Sequence, residues 1–253
     1  AKGETISVRG PRYGRAVKAS ELPKHVVEAF IGAEDRRFRE HTGVDMWAIV
    51  RAFLANARAG HTVEGASTIT QQLVKNLFLT PDQTLKRKAQ EARLAGDLER
   101  LLTKDEILDL YLNRIYLGAG AYGLDAAART YFGKQPADLT LAESAMLASF
   151  PKAPTRFANQ VQTSKAKERQ HYVLTQMVEA GFISQTQADE AKNQELIFAK
   201  DTPDTFTGHA LDYAVERVRE VLPNPPADLV IKLSLDLTLQ KAAQDAVEHG
   251  LST

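Results

Sequence analysis

The feature that most constrains this chain is the recurrence of helix-start signals. Thr103-Lys104-Asp105-Glu106, Thr140-Leu141-Ala142-Glu143 and Ser184-Gln185-Thr186-Gln187 each set a hydroxyl ahead of a Glu or Gln at the spacing of a capping box. In that box the hydroxyl accepts from a first-turn amide and the longer side chain reaches back to the cap amide. Thr80-Pro81-Asp82-Gln83 reads the same way, with Pro81 in the first turn and a helix running through Gly96 to Leu102. Pro23 similarly suits the first turn of a helix that carries Val26, Val27, Phe30 and Ile31 toward Glu34. Ile107, Leu108, Tyr111, Leu112 and Ile115 mark another apolar face, and a further helix runs from about Lys165 to Gly181. Gly60, Gly118, Gly120, Gly123, Pro151 and Pro154 interrupt the periodic segments. No internal repeat and no alternation of strands with helices is present. The expectation is an all-α domain.

The ends of the chain read differently. Thr5-Ile6-Ser7-Val8 alternates like a short strand. Residues 199–207 read as a linker, followed by an amphipathic segment from Ala210 to Leu222 and a boundary at Pro223, Pro225 and Pro226. Val230-Ile231-Lys232-Leu233-Ser234-Leu235 reads as a strand, with a helix after Asp236. The predicted division is residues 1–200 as one domain and 201–253 as a linker and short β-containing connector.

Composition narrows the function classes. The formal net charge is zero, so no global basic field argues for nucleic acid. Cysteine is absent, which excludes disulfides, thiolate metal sites and a cysteine nucleophile. No apolar run reaches the length of about eighteen residues that a membrane span requires. No serine sits in a nucleophile-elbow pattern.

Two stretches carry the candidate chemistry. The first is Glu34-Asp35-Arg36-Arg37-Phe38 with His41, Gly43 and Asp45. Its carboxylates sit where an apolar helix face meets a polar loop. Desolvation there raises a carboxylate pKa, and Arg36 and Arg37 oppose the rise. The second is Gly65-Ala66-Ser67-Thr68-Ile69-Thr70-Gln71-Gln72-Leu73-Val74-Lys75-Asn76, a loop leading into a helix. Taken alone, the first could be a solvated helix end with local ion pairs.

Together the two stretches resemble the peptidoglycan glycosyltransferase domain of class A penicillin-binding proteins, glycosyltransferase family 51. Three further motifs follow in that family's order: Arg87-Lys88-x-x-Glu91, Lys104-x-x-Ile107-Leu108-x-x-Tyr111-Leu112-Asn113, and Arg129 with Tyr131-Phe132-Gly133-Lys134. The likeness covers roughly residues 20–200. Ala66 departs from the second glycine that relatives carry there.

The resemblance implies a lysozyme-like helical fold. It implies polymerisation of lipid II onto a growing glycan chain by inverting transfer, with release of undecaprenyl pyrophosphate. It casts Glu34 as general base and Glu91 as a second glutamate that holds a divalent metal (Mg or Mn) or orients donor groups. The alternative for Glu91 is an ion pair with Arg87, one turn away. Lys75, Lys88 and Arg87 match pyrophosphate binders. Asp35, Arg36, Ser67, Thr68, Gln71, Gln72 and Asn76 match substrate contacts, and Ser67 or Thr68 also suits a helix cap. His41 is either a substrate contact or a structural histidine bonding a carboxylate such as Asp45. Asn113 and Tyr111 read as structural, and Tyr131-Phe132 as core or acceptor groove.

By the same resemblance the setting is the bacterial cell envelope, at the outer face of the cytoplasmic membrane. The partners would be lipid II, the membrane surface, phosphoglycolipid inhibitors such as moenomycin and other cell-wall synthesis proteins. The family also carries an N-terminal anchor and a C-terminal transpeptidase domain. Neither pattern occurs here, so the sequence reads as a piece of a longer protein. Two rivals stand beside this reading: a lytic transglycosylase or muramidase, and a non-catalytic lipid II-binding module. The segment Met46–Arg58 sets Met46, Trp47, Val50, Phe53, Leu54 and Ala57 on one arc, flanked by Arg51 and Arg58. That arc is either buried core or a surface that touches the bilayer.

Overall fold

The computed structural model describes residues 11–61, 65–79, 84–154, 163–199, 208–222 and 229–251. The chain divides into two compact units, one spanning Pro11–Ala199 and one holding the described residues after Lys200.

The larger unit is helical. Its helices are α1 (Lys24–Glu34), α2 (Met46–Ala59), α3 (Ile69–Phe78), α4 (Leu85–Leu101), α5 (Lys104–Arg114), α6 (Leu124–Phe132), α7 (Leu141–Ala148), α8 (Ser164–Glu179) and α9 (Gln185–Asn193). The capping boxes at Thr103, Thr140 and Ser184 are all formed, each closing both of its bonds. Thr68 and Gln71 form another at the start of α3. The expected start at Thr80 lies outside the described residues. The helix that follows begins at Leu85, where the Thr84 hydroxyl accepts from the Arg87 amide across 3.1 Å. Pro23 is the cap residue of α1 rather than a first-turn residue. Gly60 ends α2 in the left-handed conformation, with φ of 70°.

Two helical groups meet around one apolar core. In one, α1 packs on α7 and α8; in the other, α3 packs on α4 and α5. Phe30 and Ala29 from the first group share the core with Ile69, Leu73, Ile107, Leu108 and Tyr111 from the second. Full burial of such a side chain contributes about 1.5–3 kcal/mol. The end of α1 and the start of α3 therefore face one another across the junction. Gly43, in the loop after α1, lies so close to α4 that an added Cβ would fall 2.7 Å from the Ala95 carbonyl carbon. Its φ of 95° also belongs to glycine.

The strands among the described residues form one short parallel pair, β1 (Arg12–Tyr13) with β2 (Ala121–Tyr122), in register Arg12 to Ala121, beside an isolated antiparallel bridge between Tyr116 and Tyr122. The segment after β1 is stitched down by Asn113. Its amide accepts from the Val17 amide at 2.8 Å and donates to the Val17 carbonyl at 2.7 Å. The structural reading of Asn113 is thus what the structure has. Helix α2 stands apart from this packing. Ala52 is its one buried residue, while Trp47 and Phe53 are each 71% exposed. The core reading of its apolar arc does not hold.

The second unit contains α10 (Gly208–Val221) and α11 (Leu237–Leu251). Asp236 caps α11, accepting from the Thr238 and Leu239 amides at 2.9 and 3.1 Å. The strand expected over Val230–Leu235 is not formed, and the stretch carries no regular structure. A strand needs a neighbour for its ladder bonds, and the sheet among the described residues consists of β1 and β2 alone. The strand expected over Thr5–Val8 lies outside the described residues.

Candidate active site

Glu34 is the last residue of α1 and Asp35 is its C-cap. The buried Asp35 carboxylate does not face solvent. It accepts from the Ile69 amide at 3.0 Å and from His41 Nε2 at 2.9 Å. Since the carboxylate can only accept, Nε2 carries the His41 proton. An anion at the first amides of α3 is also favoured by the helix dipole. Asp35 thus pins the start of α3 to the end of α1. His41 bonds Asp35, not Asp45. Asp45 instead caps α2, accepting from the Trp47 and Ala48 amides at 2.9 and 3.1 Å, and pairs with Arg37 at 3.3 Å.

This pinning brings Gln72, one turn into α3, onto Glu34. Gln72 Nε2 donates to Glu34 Oε2 at 2.6 Å, and the Tyr111 hydroxyl donates to Gln72 Oε1 at 3.3 Å. Burial pushes the Glu34 carboxyl above its ordinary value. The Gln72 bond and the positive charges of Arg169 and Lys152 pull it back, and Asp35 adds to the rise. A carboxyl whose pKa is raised is a stronger base than an ordinary glutamate, which suits it to take a proton from a sugar hydroxyl. Burial foremost, and then the charges of Glu34 and Asp35, push the Tyr111 hydroxyl well above the usual tyrosine value, so it stays a neutral donor.

A second cluster sits at the N-terminal half of α4. Lys88 Nζ donates to Ser67 Oγ at 2.8 Å and also pairs with Glu91, while Arg87 reaches the other Glu91 oxygen at 3.1 Å. Glu91 is buried. One carboxylate between two cations leaves positive charge uncancelled, as an anionic leaving group requires. The two clusters are joined through consecutive residues. Ser67 meets Lys88, the Thr68 hydroxyl donates to the Gly43 carbonyl at 2.6 Å, and Ile69 meets Asp35.

The remaining expected site residues divide. Thr68 and Gln71 are buried and engaged with each other in the capping box of α3. Lys75 and Asn76 lie exposed on the later turns of α3. Arg36 is turned toward α8, donating to Glu179 at 2.5 Å. Lys152 and Arg169, whose charges act on Glu34, were not legible beforehand. Nothing in their local sequence marks a partner more than a hundred positions away.

The donor set does not fit a metal at Glu91. Both of its oxygens are taken by cations. Among the described residues, no group of three His, Asp or Glu side chains is placed to hold a metal ion.

A family model described as Transglycosylase matches residues 2–178. Penicillin-binding protein 1A of Aquifex aeolicus is 43% identical over 257 aligned positions, covering 99% of this chain and 35% of that protein. Penicillin-binding protein 1A of Escherichia coli is 41% identical, covering 99% of this chain and 30% of that protein. The crystal structure of penicillin-binding protein 1A from Haemophilus influenzae overlaps 82% of this chain and 22% of that one, at 26% identity and a TM-score of 0.47. The chain spans about a third of the length of the curated relatives it matches, 35% and 30% for the two named. With the family model covering most of the chain and relatives this similar along nearly all of it, the chain belongs to the transglycosylase family, the peptidoglycan glycosyltransferase domain that its ordered motifs resemble.

Proposed function

We propose that this peptidoglycan glycosyltransferase polymerises lipid II, with Glu34 as general base. The observation that carries the reading is the pairing of the clusters: a carboxyl raised by burial at the end of α1, joined through Ser67–Ile69 to the cations of α4. In the reaction the acceptor's sugar 4-hydroxyl attacks the anomeric carbon of the donor. The hydroxyl proton passes to Glu34 as the new glycosidic bond forms. The bond to undecaprenyl pyrophosphate breaks with inversion, and its electron pair leaves on the pyrophosphate. Arg87, Lys88 and Lys75 supply the charge that stabilises that leaving group, and Glu91 holds the first two in place.

The same reading puts the protein at the outer face of the cytoplasmic membrane. Among the described residues no helix is long and apolar enough to cross a bilayer. Met46, Trp47, Val50, Phe53 and Leu54 on α2 and Phe78 at the end of α3 are exposed, and a lipid surface would cover them. A lipid-tethered substrate reaches its cleft along such a surface. The second unit is read as the start of a connector toward a transpeptidase domain.

The test is incubation of the chain with labelled lipid II, separating polymer from monomer, beside incubation with preformed glycan. Polymer from the first supports the reading. Cleavage of the second without polymer would make the chain a lytic enzyme, and binding without turnover a docking module.

A further inference from the structure

We propose that Tyr111 is a positioning residue for the base: its buried hydroxyl fixes which end of the Gln72 amide faces Glu34, and so favours the carboxylate form of Glu34. This rests on the reading of Glu34 as the base. The two ends of an amide differ little in shape, and their orientation is set by the partners around them. With Nε2 toward Glu34, as the structure has it, an ionised carboxylate accepts its hydrogen bond across 2.6 Å. Turned over, Oε1 would face the carboxylate, and two acceptors repel unless Glu34 is protonated.

Tyr111 decides between the orientations because its hydroxyl is sealed in the core. The side chain is 1% exposed, and its hydroxyl donates to Gln72 Oε1. In the turned-over amide that hydroxyl would face Nε2, a donor, and its proton would lose the acceptor it has now, in a buried setting. An unsatisfied buried donor is costly. The flip therefore loses a good contact at both ends of the amide. Ionised Glu34 and a donating Tyr111 favour the same orientation. Other charges also face Glu34: Asp35 beside it, Lys152 after α7 and Arg169 on α8, with His41 acting on Asp35. None of them contacts Gln72 in the way that Tyr111 does, so their contribution stays when the tyrosine hydroxyl is removed.

The test is the titration of the Glu34 carboxyl, followed by NMR in the full chain with ¹³C-labelled glutamate and assigned by its loss in Glu34→Gln. In Tyr111→Phe, which removes one oxygen and keeps the ring, Glu34 is expected to titrate about 0.3–1 pH unit higher than in the parent. In Gln72→Met the rise is at least as large. In the double variant Tyr111→Phe adds nothing further, because its effect passes through the missing amide. The acidic limb of the pH–rate profile with lipid II moves with the titration, and the rate recovers at higher pH. A merely structural tyrosine would instead lower the rate evenly at every pH. A Glu34 titration in Tyr111→Phe that matches the parent overturns the proposal, as does a double variant in which the two shifts add. Should Tyr111→Phe fold poorly, a Gln72→Met chain with unmoved Glu34 overturns it equally. The titration needs no turnover. A chain that makes no polymer therefore counts against the proposed function without touching this result.

Discussion

Lys88 donates to the Ser67 hydroxyl across 2.8 Å, which fastens α4 to the loop that opens α3. Its ammonium is thereby held in a place fixed by two elements rather than left to sweep solvent. Glu91 restrains it from the other side. A cation held this way pays less entropy when a pyrophosphate arrives. Lys88→Ala is expected to weaken turnover and phosphoglycolipid binding by about 1.5–3 kcal/mol, the range of a charge-assisted bond. Lys75→Ala acts in the same direction. Calorimetric titration with moenomycin and steady-state kinetics measure both. Unchanged binding in both variants would remove these lysines from the donor site.

Asp35 should matter more to stability than its place beside Glu34 suggests. Asp35→Ala leaves the Ile69 amide and His41 Nε2 without their acceptor in a buried setting. The expected loss is about 2–4 kcal/mol in urea unfolding. Asp35→Asn keeps one acceptor oxygen and is expected to lose less. Equal stability of the alanine variant and the parent would contradict the pinning of α3 to α1.

The raised Glu34 pKa carries a stability prediction with a definite sign. A carboxyl whose folded pKa lies above its unfolded value favours folding fully only while it is protonated in both states. That holds below the ordinary glutamate value of 4.5. The contribution is lost as pH rises through the folded value. Glu34→Gln should therefore melt higher than the parent at neutral pH, and the difference should vanish in acid. Thermal melts across that range measure it. A variant less stable than the parent at neutral pH would show that burial is not what dominates at this carboxyl.

The apolar arc of α2 gives a prediction that separates core from surface. Phe53→Ser with Leu54→Ser should reduce co-sedimentation with liposomes while leaving the melting temperature nearly unchanged. Exposed substitutions usually shift stability by no more than about 0.5 kcal/mol each. A large fall in melting temperature with undiminished liposome binding would return the arc to the core.

These expectations also show where the sequence was legible. Thr103, Thr140 and Ser184 were readable because a capping box is chemistry among neighbours. Thr84 was missed for a related reason. Local rules favour Thr80, with Pro81 and Gln83 behind it, whereas Thr84 is followed three positions later by Arg87 and offers no capping box. The strand over Val230–Leu235 failed because a strand is defined by a partner that the pattern does not contain. At the candidate site, Glu34 and Gln72, and Lys88 and Glu91, stand in the ordered motifs, and the structure brings each pair into contact. Lys152 and Arg169 act on Glu34 from far along the chain. The Tyr111 hydroxyl likewise reaches Gln72 across 39 positions. Such contacts exist only once the helices pack. The arc of α2 was visible as an arc, but its exposure depends on what the rest of the chain leaves uncovered.

If Glu34 takes the proton, the polymerisation rate of Glu34→Gln on lipid II reports it. The substitution keeps the shape and hydrogen-bonding reach of the side chain and removes its basicity. Circular dichroism first establishes that the variant is folded. The rate is then expected to fall by about 10²- to 10⁴-fold, the contribution of a positioned general base. A folded Glu34→Gln chain that polymerises lipid II within a few-fold of the parent would mean that Glu34 is not the base.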